Sequence, residues 1–340
     1  MDYFRPVAMT DAARTPGALP LAGGWCWFDR AEHLTRAGSQ GLVAARDLPG
    51  DLLARLTAPR PALTGVSLDR PRLMGILNVT PDSFSDGGRF LAPEDALARA
   101  RAMAADGADI LDIGGESTRP GSADVDAETE IARTEPLIAA LRAGGFATPL
   151  SIDTRKAAVA RAALDAGADW VNDVAALTYD PGLAPFVAAR QVPVCLMHAQ
   201  GTPATMQADP RYDDVLLDVY DWLAARVAAA EAAGIARERI VIDPGIGFGK
   251  TAAHNLSLLR GLSLFHGLGL PILLGASRKR FIGTYAGGAA EARADLRGPG
   301  TLAVTLAGLA QGVQIHRVHD TFETRQALRL WQAVTLGEDP

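Results

Sequence analysis

From Arg72 to near the C-terminus, short apolar runs alternate with Ala/Leu-rich stretches eight times. That repetition limits the chain to very few folds. The runs fall near 73–77, 109–113, 149–152, 170–172, 193–197, 239–242, 271–274 and 313–316. The helical stretches fall near 93–105, 127–143, 156–166, 182–190, 212–233, 254–260, 298–311 and 321–335. Strands covered on both faces read as unbroken apolar runs, and these do. Eight strand-then-helix units in about 265 residues predict an α/β chain closed as a (β/α)8 TIM barrel. An open doubly wound sheet is the alternative, and it needs a reversal of strand order.

Local punctuation agrees with the period. Pro93-Glu94-Asp95 gives one helix an acidic first turn, and Asp180-Pro181 offers another a cap followed by proline. Gly107, Gly144, Gly167 and Gly234 are placed as helix stops.

Residues 1–70 read differently and form an N-terminal extension, with the barrel occupying 71–340. The extension holds Gly-Gly-Trp-Cys-Trp-Phe at 23–28 and a mixed, helix-like stretch around 31–57. Pro59, Pro61 and Pro71 mark a linker. Trp25 and Trp27 belong to a small packed appendage rather than a binding face. The segment shows no carboxylate–cation cluster, so a chain beginning near Asp69 is expected to keep its activity if it stays folded.

Bulk composition excludes several classes. Net charge is −6 and pI about 5.6, which disfavours a nucleic-acid or membrane-surface partner. The two cysteines, Cys26 and Cys195, allow neither a disulfide framework nor a CxxC metal site. Cys195 lies in an apolar run and reads as a small core residue. The N-terminus lacks a signal-peptide pattern, and no apolar stretch approaches the ~20 residues of a membrane helix. A cytoplasmic protein is expected.

The informative pattern lies in the residues that end each strand. These ends read Asn78, then Gly114-Gly115-Glu116-Ser117-Thr118-Arg119-Pro120-Gly121, Asp153-Thr154, Asn172-Asp173, His198-Ala199-Gln200-Gly201, Asp243-Pro244-Gly245, Ser277-Arg278-Lys279 and Arg317-Val318-His319-Asp320. A barrel brings all eight ends to one mouth. One polar strand end is ordinary capping; eight of eight, mixing carboxylates, amides and cations, is not. Asp153, Asn172 and Asp243 suit a flat heterocycle bearing N–H donors and a carbonyl. The competing reading for the two aspartates is capping of the next helix. Lys279 can neutralise a buried carboxylate and donate to the ring. Arg119, Arg317 and His319 suit a phosphate or diphosphate. Asn78 offers Mg²⁺ a hard oxygen ligand, whereas zinc spacings are absent. Gly245–Lys250 lacks nucleotide-loop spacing and reads as an active-site turn. Neither a Ser–His–Asp nor a Cys–His nucleophile arrangement is evident.

The chain resembles the dihydropteroate synthase family, the folate-pathway enzymes that sulfonamides target. The resemblance runs from about residue 72 to 335. It is carried by the motifs at 78–88, 112–121, 151–154, 172–174, 197–203, 243–250, 277–279 and 317–320. It implies transfer of a pterinylmethyl group from 6-hydroxymethyl-7,8-dihydropterin diphosphate to 4-aminobenzoate, giving 7,8-dihydropteroate and diphosphate.

By resemblance the pterin ring lies against Asp153, Asn172, Asp243 and Lys279, with Met197 packing nearby. Diphosphate is held by Asn78, Arg119, Arg317 and His319 with Mg²⁺, Asn78 being the metal ligand. 4-Aminobenzoate lies near Phe84, Thr118, Pro120, Phe248, Ser277 and Lys279. The catalytic set is Asp86, Lys279, Arg317 and His319, with Asp86 facing a methylene cation formed as the diphosphate leaves. The first two loops order over the site, so the pterin diphosphate binds first. A homodimer is expected from the family alone. The competing readings are a pterin-binding methyltransferase barrel working with a corrinoid and a non-catalytic pterin-binding paralogue. The former would not need the 80–88 loop or the Arg317/His319 anion pair.

Overall fold

The computed structural model describes residues 2–80, 93–117, 122, 124–202 and 205–337. Its centre is an eight-stranded parallel sheet rolled into a nearly closed (β/α)8 barrel. The strands are β1 (Arg72–Asn78), β2 (Ile110–Gly114), β3 (Leu150–Asp153), β4 (Trp170–Asp173), β5 (Val194–Met197), β6 (Ile240–Asp243), β7 (Leu273–Leu274) and β8 (Ile315–Val318). Each neighbours its sequence successor, and β8 returns beside β1. Closure between β6 and β7 is a single bridge, Ile242 to Ile272, with Ile242 N–H donating to Pro271 O at 3.0 Å. No strand order reverses, so the open-sheet alternative falls.

The principal helices are α1 (Pro93–Ala105), α2 (Ala127–Ala143), α3 (Ala157–Asp165), α4 (Leu183–Arg190), α5 (Val215–Ala232), α6 (Ala252–Arg260), α7 (Gly298–Leu309) and α8 (Thr321–Leu336). Their inner faces and the outward strand residues form one large core around the barrel. Asp126 and Asp214 cap α2 and α5 through their side chains. Asp180 does not cap α4, whose N-cap position is Gly182. Instead Asp180 accepts from Gly182 N and from Ala157 N at the start of α3, both at 2.8 Å.

Residues 30–44 are not helical. Arg30–Thr35 and Gly38–Ala44 form an antiparallel hairpin, with Arg30–Thr35 also paired to Tyr3–Pro6; helix is confined to a 3-10 turn at Ala45–Asp47 and an α-helix at Gly50–Thr57. The Ala/Leu/Arg/Glu content favours helix locally, but Gly38 and Gly41 take φ of +108° and +99°, which a helix cannot use. The sheet packs Tyr3 against Leu217 and Leu264. Trp25 and Trp27 are buried, and Trp25 Nε1 donates to Leu309 O at 2.8 Å. The packed-appendage reading therefore matches the structure.

The stretch between Pro59 and Pro71 is no free linker. Leu63, Val66 and Leu68 cluster with Met74, Ile110, Trp170, Cys195, Val241, Leu273 and Ile315. They close the floor of the barrel, and Trp170 Nε1 donates to Thr64 Oγ1 at 2.7 Å. A chain beginning at Asp69 would lack this floor.

Candidate active site

Side chains alternate along a strand, so every second residue of the barrel faces its axis. The floor layer is apolar: Met74, Ile110, Trp170, Cys195, Val241, Leu273 and Ile315. Two residues up four of these strands the character changes. Asp112 lies two beyond Ile110, Asn172 two beyond Trp170, Asp243 two beyond Val241 and Arg317 two beyond Ile315. Asn78, Gly114, Asp153 and Asn172 are then paired in register from β1 to β4. Gly114 keeps the row open: a Cβ there would lie 3.2 Å from Asn78 Oδ1 and 3.6 Å from the Asp153 Cβ.

Arg317 is the hub of this layer. Its Nε donates to Asp112 Oδ2 at 2.5 Å and one terminal nitrogen to Asp153 Oδ2 at 2.6 Å. Asn172 Nδ2 donates to the same Asp112 oxygen at 2.9 Å. Among the described residues Asp112 Oδ1 is buried without a hydrogen-bond partner. Burial works against the guanidinium, but Asp112 and Asp153 outweigh it and hold Arg317 charged. Burial pushes Asp153 up to about 7 even though Arg317 opposes it. Asp243 is pushed up to about 6 by the same cause, opposed by the Gly245 N–H and by Lys279, Lys250 and Arg317. Neither aspartate caps a helix. Asp243 Oδ1 accepts from Gly245 N at 2.7 Å inside its own turn.

The turn after β7 aims Ser277 and Lys279. Arg278 sits at φ +56°, a strained conformation for a residue with a side chain. It is held by Thr301 Oγ1 accepting from its N–H, by Arg297 donating to its carbonyl and by an ion pair to Asp320. Lys279 is the N-cap residue of the next helix, Arg280–Ala286. Its Nζ lies 3.9 Å from the centroid of the Phe248 ring. His319 turns toward β7, with Nδ1 2.9 Å from Ser277 Oγ. Met197 is buried beside Asp243 in the β5–β6 register.

Buried charge also anchors the foot of the loop after β2. Glu116 receives Lys156 Nζ at 2.9 Å, Arg155 at 3.1 Å and Val125 N at 3.0 Å. Lys156 also pairs with Glu130 at 2.7 Å, and Arg155 reaches Asp124 at 2.7 Å. Burial alone would raise Glu116, but Lys156 and Arg155 bring it below the usual carboxylate range.

The structure thus brings Asn78, Asp153, Asn172, Met197, Asp243, Phe248, Ser277, Lys279, Arg317 and His319 to one mouth. Phe84, Asp86, Thr118, Arg119 and Pro120 lie outside the described residues. Sequence reasoning assigned Asp112 no role, although the structure makes it the second partner of Arg317. The available signal was a carboxylate inside an apolar run, Ile-Leu-Asp-Ile-Gly, two positions before the mouth glycine. Among the described residues, no group of three or more His, Cys, Asp or Glu side chains could hold a metal ion.

Residues 74–319 match the model of a family described as pterin binding enzyme. A curated dihydropteroate synthase of Neisseria meningitidis serogroup B is 47% identical over 277 residues, covering 80% of this chain and 95% of that relative. Among solved structures, dihydropteroate synthase of Xanthomonas albilineans with 4-aminobenzoic acid is 48% identical with a TM-score of 0.74. The alignment covers 81% of this chain and 96% of that one. A complex of the Xanthomonas albilineans enzyme with 7,8-dihydropteroate is 46% identical with a TM-score of 0.71, at the same coverage.

Proposed function

The chain belongs to the pterin-binding enzyme family and, within it, to the dihydropteroate synthases; on that premise we propose how its mouth divides the reaction. The enzyme joins 6-hydroxymethyl-7,8-dihydropterin diphosphate to 4-aminobenzoate, releasing diphosphate. The observation that carries the division of labour is the Asp112–Arg317–Asp153 cluster beside Asn172 and Asp243. It gives a buried cluster edged with acceptors, including Asp112 Oδ1, which has no hydrogen-bond partner among the described residues. Asp153, Asn172 and Asp243 meet the polar edge of the pterin ring, Met197 packs against it and Lys279 donates to it. A ring with N–H donors satisfies carboxylates that burial leaves costly when ionised.

Arg317 and His319, with Arg119, take the diphosphate. The C–O bond between the pterin methylene and the diphosphate breaks, and the electron pair leaves on oxygen. The conjugated ring stabilises the resulting methylene cation, and Asp86 faces it. The amine lone pair of 4-aminobenzoate then forms the C–N bond, and the nitrogen releases its extra proton to solvent. The cations act by holding negative charge where it develops. Phe248, Phe84, Thr118, Pro120 and Ser277 form the slot for 4-aminobenzoate.

Asn78, whose Oδ1 lies near Asp153 across Gly114, is the residue that would hold Mg²⁺ through a hard oxygen. When bound, the ion would neutralise leaving-group charge.

A homodimer is proposed through α8, where Phe322, Leu330 and Val334 are 58%, 65% and 77% exposed. Sedimentation velocity checks it, a monomer at micromolar concentration counting against it. Among the described residues no helix is long and apolar enough to cross a membrane. The reaction is tested by diphosphate release with and without 4-aminobenzoate, alongside detection of 7,8-dihydropteroate. Pterin binding with no turnover in the presence of Mg²⁺ would leave a binding protein instead.

A further inference from the structure

Lys250 is a buried amine that the reaction does not use; burial pulls it down to about 7, opposed by Asp243. It is 2% exposed at the end of the Asp243–Lys250 turn. Four acceptors lie around its Nζ: His198 Nδ1 at 2.8 Å, Gly245 O at 2.9 Å, Phe248 O at 3.0 Å and, at the longest distance, His198 O at 3.5 Å. An ammonium has three protons to donate, which the three shorter contacts take up. Donation to Nδ1 requires a neutral His198 with its proton on Nε2. Burial foremost, and the Lys250 charge after it, depress His198 to about 2 and keep it neutral.

The turn could not hold this shape unaided. Gly245, Gly247 and Gly249 take φ of +69°, +84° and +63°, which aims the turn's carbonyls inward. Side chains at Gly245 or Gly249 would collide with the carbonyls of His198 and Gln200 in the neighbouring loop. From that loop Gln207 Nε2 donates to Gly247 O and Tyr212 OH to Gly249 O, each at 2.8 Å. The carbonyls of Gly245, Gly247, Phe248 and Gly249 therefore each receive a side-chain donor, and Lys250 supplies two of those bonds. Between them sits Phe248, whose ring faces the Lys279 ammonium at 3.9 Å.

We propose that Lys250 is a positioning residue for the second substrate. It pins the Gly245 and Phe248 carbonyls, which fixes the Phe248 ring as a wall of the 4-aminobenzoate slot under Lys279. This inference rests on the proposed reaction for its kinetic consequence but not for its structural one. Asp153 and Asn172 stand on strands away from the turn, and Asp243, although it accepts from Gly245 N, is carried by β6, so the ring site depends on the turn less than the Phe248 wall does.

Lys250→Met keeps the length and removes the donors. Hydrogen–deuterium exchange of the amides in 244–251 should accelerate at least about tenfold, as expected when two buried carbonyls lose their partners. The KM for 4-aminobenzoate should rise about tenfold while kcat and the affinity for unphosphorylated pterin stay within about threefold. A role confined to stability would lower the melting temperature and leave that split absent. In a Phe248→Leu background, Lys250→Met should add little further rise in KM, because both act on one wall. Multiplicative effects, unchanged exchange in 244–251, or an equal loss of pterin affinity would overturn the proposal. If Lys250→Met does not accumulate folded protein, His198→Leu removes one acceptor from the same ammonium and should shift exchange and KM in the same direction; no shift in either overturns it. Absence of diphosphate release by the unaltered enzyme would defeat the reaction itself, and the exchange measurement would still decide the role of Lys250.

Discussion

Asp243→Asn should make the ligand-free protein more stable while removing most of its pterin affinity. Burial lifts the Asp243 carboxyl from the ordinary 3.8 to about 6, against the pull of the Gly245 N–H and three nearby cations. At ~1.4 kcal/mol per pH unit, that difference places a cost of about 3 kcal/mol on folding with this group ionised. The sign is set by where the proton resides. Below about pH 4 both folded and unfolded forms carry it, and the cost vanishes. Between about pH 4 and 6 the unfolded chain has lost the proton and the folded protein has not, so the cost grows. Above about pH 6 it is complete.

Asparagine avoids the charge yet keeps Oδ1 to accept from Gly245 N. The melting temperature should rise by roughly 3–6 °C at pH 8, and the gain should shrink toward zero near pH 4. Pterin binding at pH 8, measured by calorimetry, should weaken by about 10- to 100-fold because a ring donor loses its ionised acceptor. Thermal unfolding from pH 4.5 to 8 reads the first effect. An unchanged or lower melting temperature at pH 8 would refute the reasoning: the cations would then outweigh burial, and Asp243 would be a structural partner. Unchanged pterin affinity would remove it from the ring site.

Arg317→Met should cost diphosphate affinity more than tenfold while affecting free pterin less at pH 8; equal losses in calorimetry would make Arg317 part of the ring pocket alone. In the unaltered protein, free-pterin affinity should climb as pH rises from 5 to above 7. Asp243 at about 6 and Asp153 at about 7 must shed protons to accept from the ring, and a flat titration would contradict this. Lys156→Met leaves Glu116 and Glu130 buried without their shared cation and should cost about 3–5 kcal/mol in urea unfolding; a loss under 1 kcal/mol would mean the cluster is water-filled. A chain beginning at Asp69 strips Leu63, Val66 and Leu68 from the barrel floor, at ~1.5–3 kcal/mol each, and should fold far less well than one beginning at Arg60. Equal stability of the two would show that the floor contributes nothing.

The barrel was legible because its signals are local and repeated. Each strand is an apolar run bounded by turn formers, and each of the eight helices lies within three residues of its expected ends. The N-terminal hairpin was not legible, since Arg30–Ala44 carries helix-forming residues and its first strand, Arg30–Thr35, is sandwiched between Gly38–Ala44 and the distant Tyr3–Pro6. That partner lies more than twenty residues away, and no local period records it. The floor residues Leu63, Val66 and Leu68 were hidden for a related reason: three apolar residues among prolines look like a linker until a barrel stands above them.

The site divides along the same physical line. A residue at the end of a strand announces itself because polarity breaks an apolar run, which is how Asn78, Asp153, Asn172, Asp243 and Lys279 could be assigned to one mouth. What the run does not announce is pairing between strands. Arg317 read as a diphosphate ligand from its place after the last strand, yet it lies within β8 and spans the barrel to Asp112 and Asp153. Those partners are 205 and 164 residues away in sequence. The pairing gives Arg317 a double part. It neutralises the two buried carboxylates across the barrel. On the proposed reaction, a ring that donates to Asp153 would compete with the guanidinium for that oxygen, and an Arg317 released from Asp153 would be a cation freed for diphosphate at the same mouth. On that reading one side chain would serve the empty pocket and the filled one, because the same guanidinium answers whichever negative charge is left without a partner.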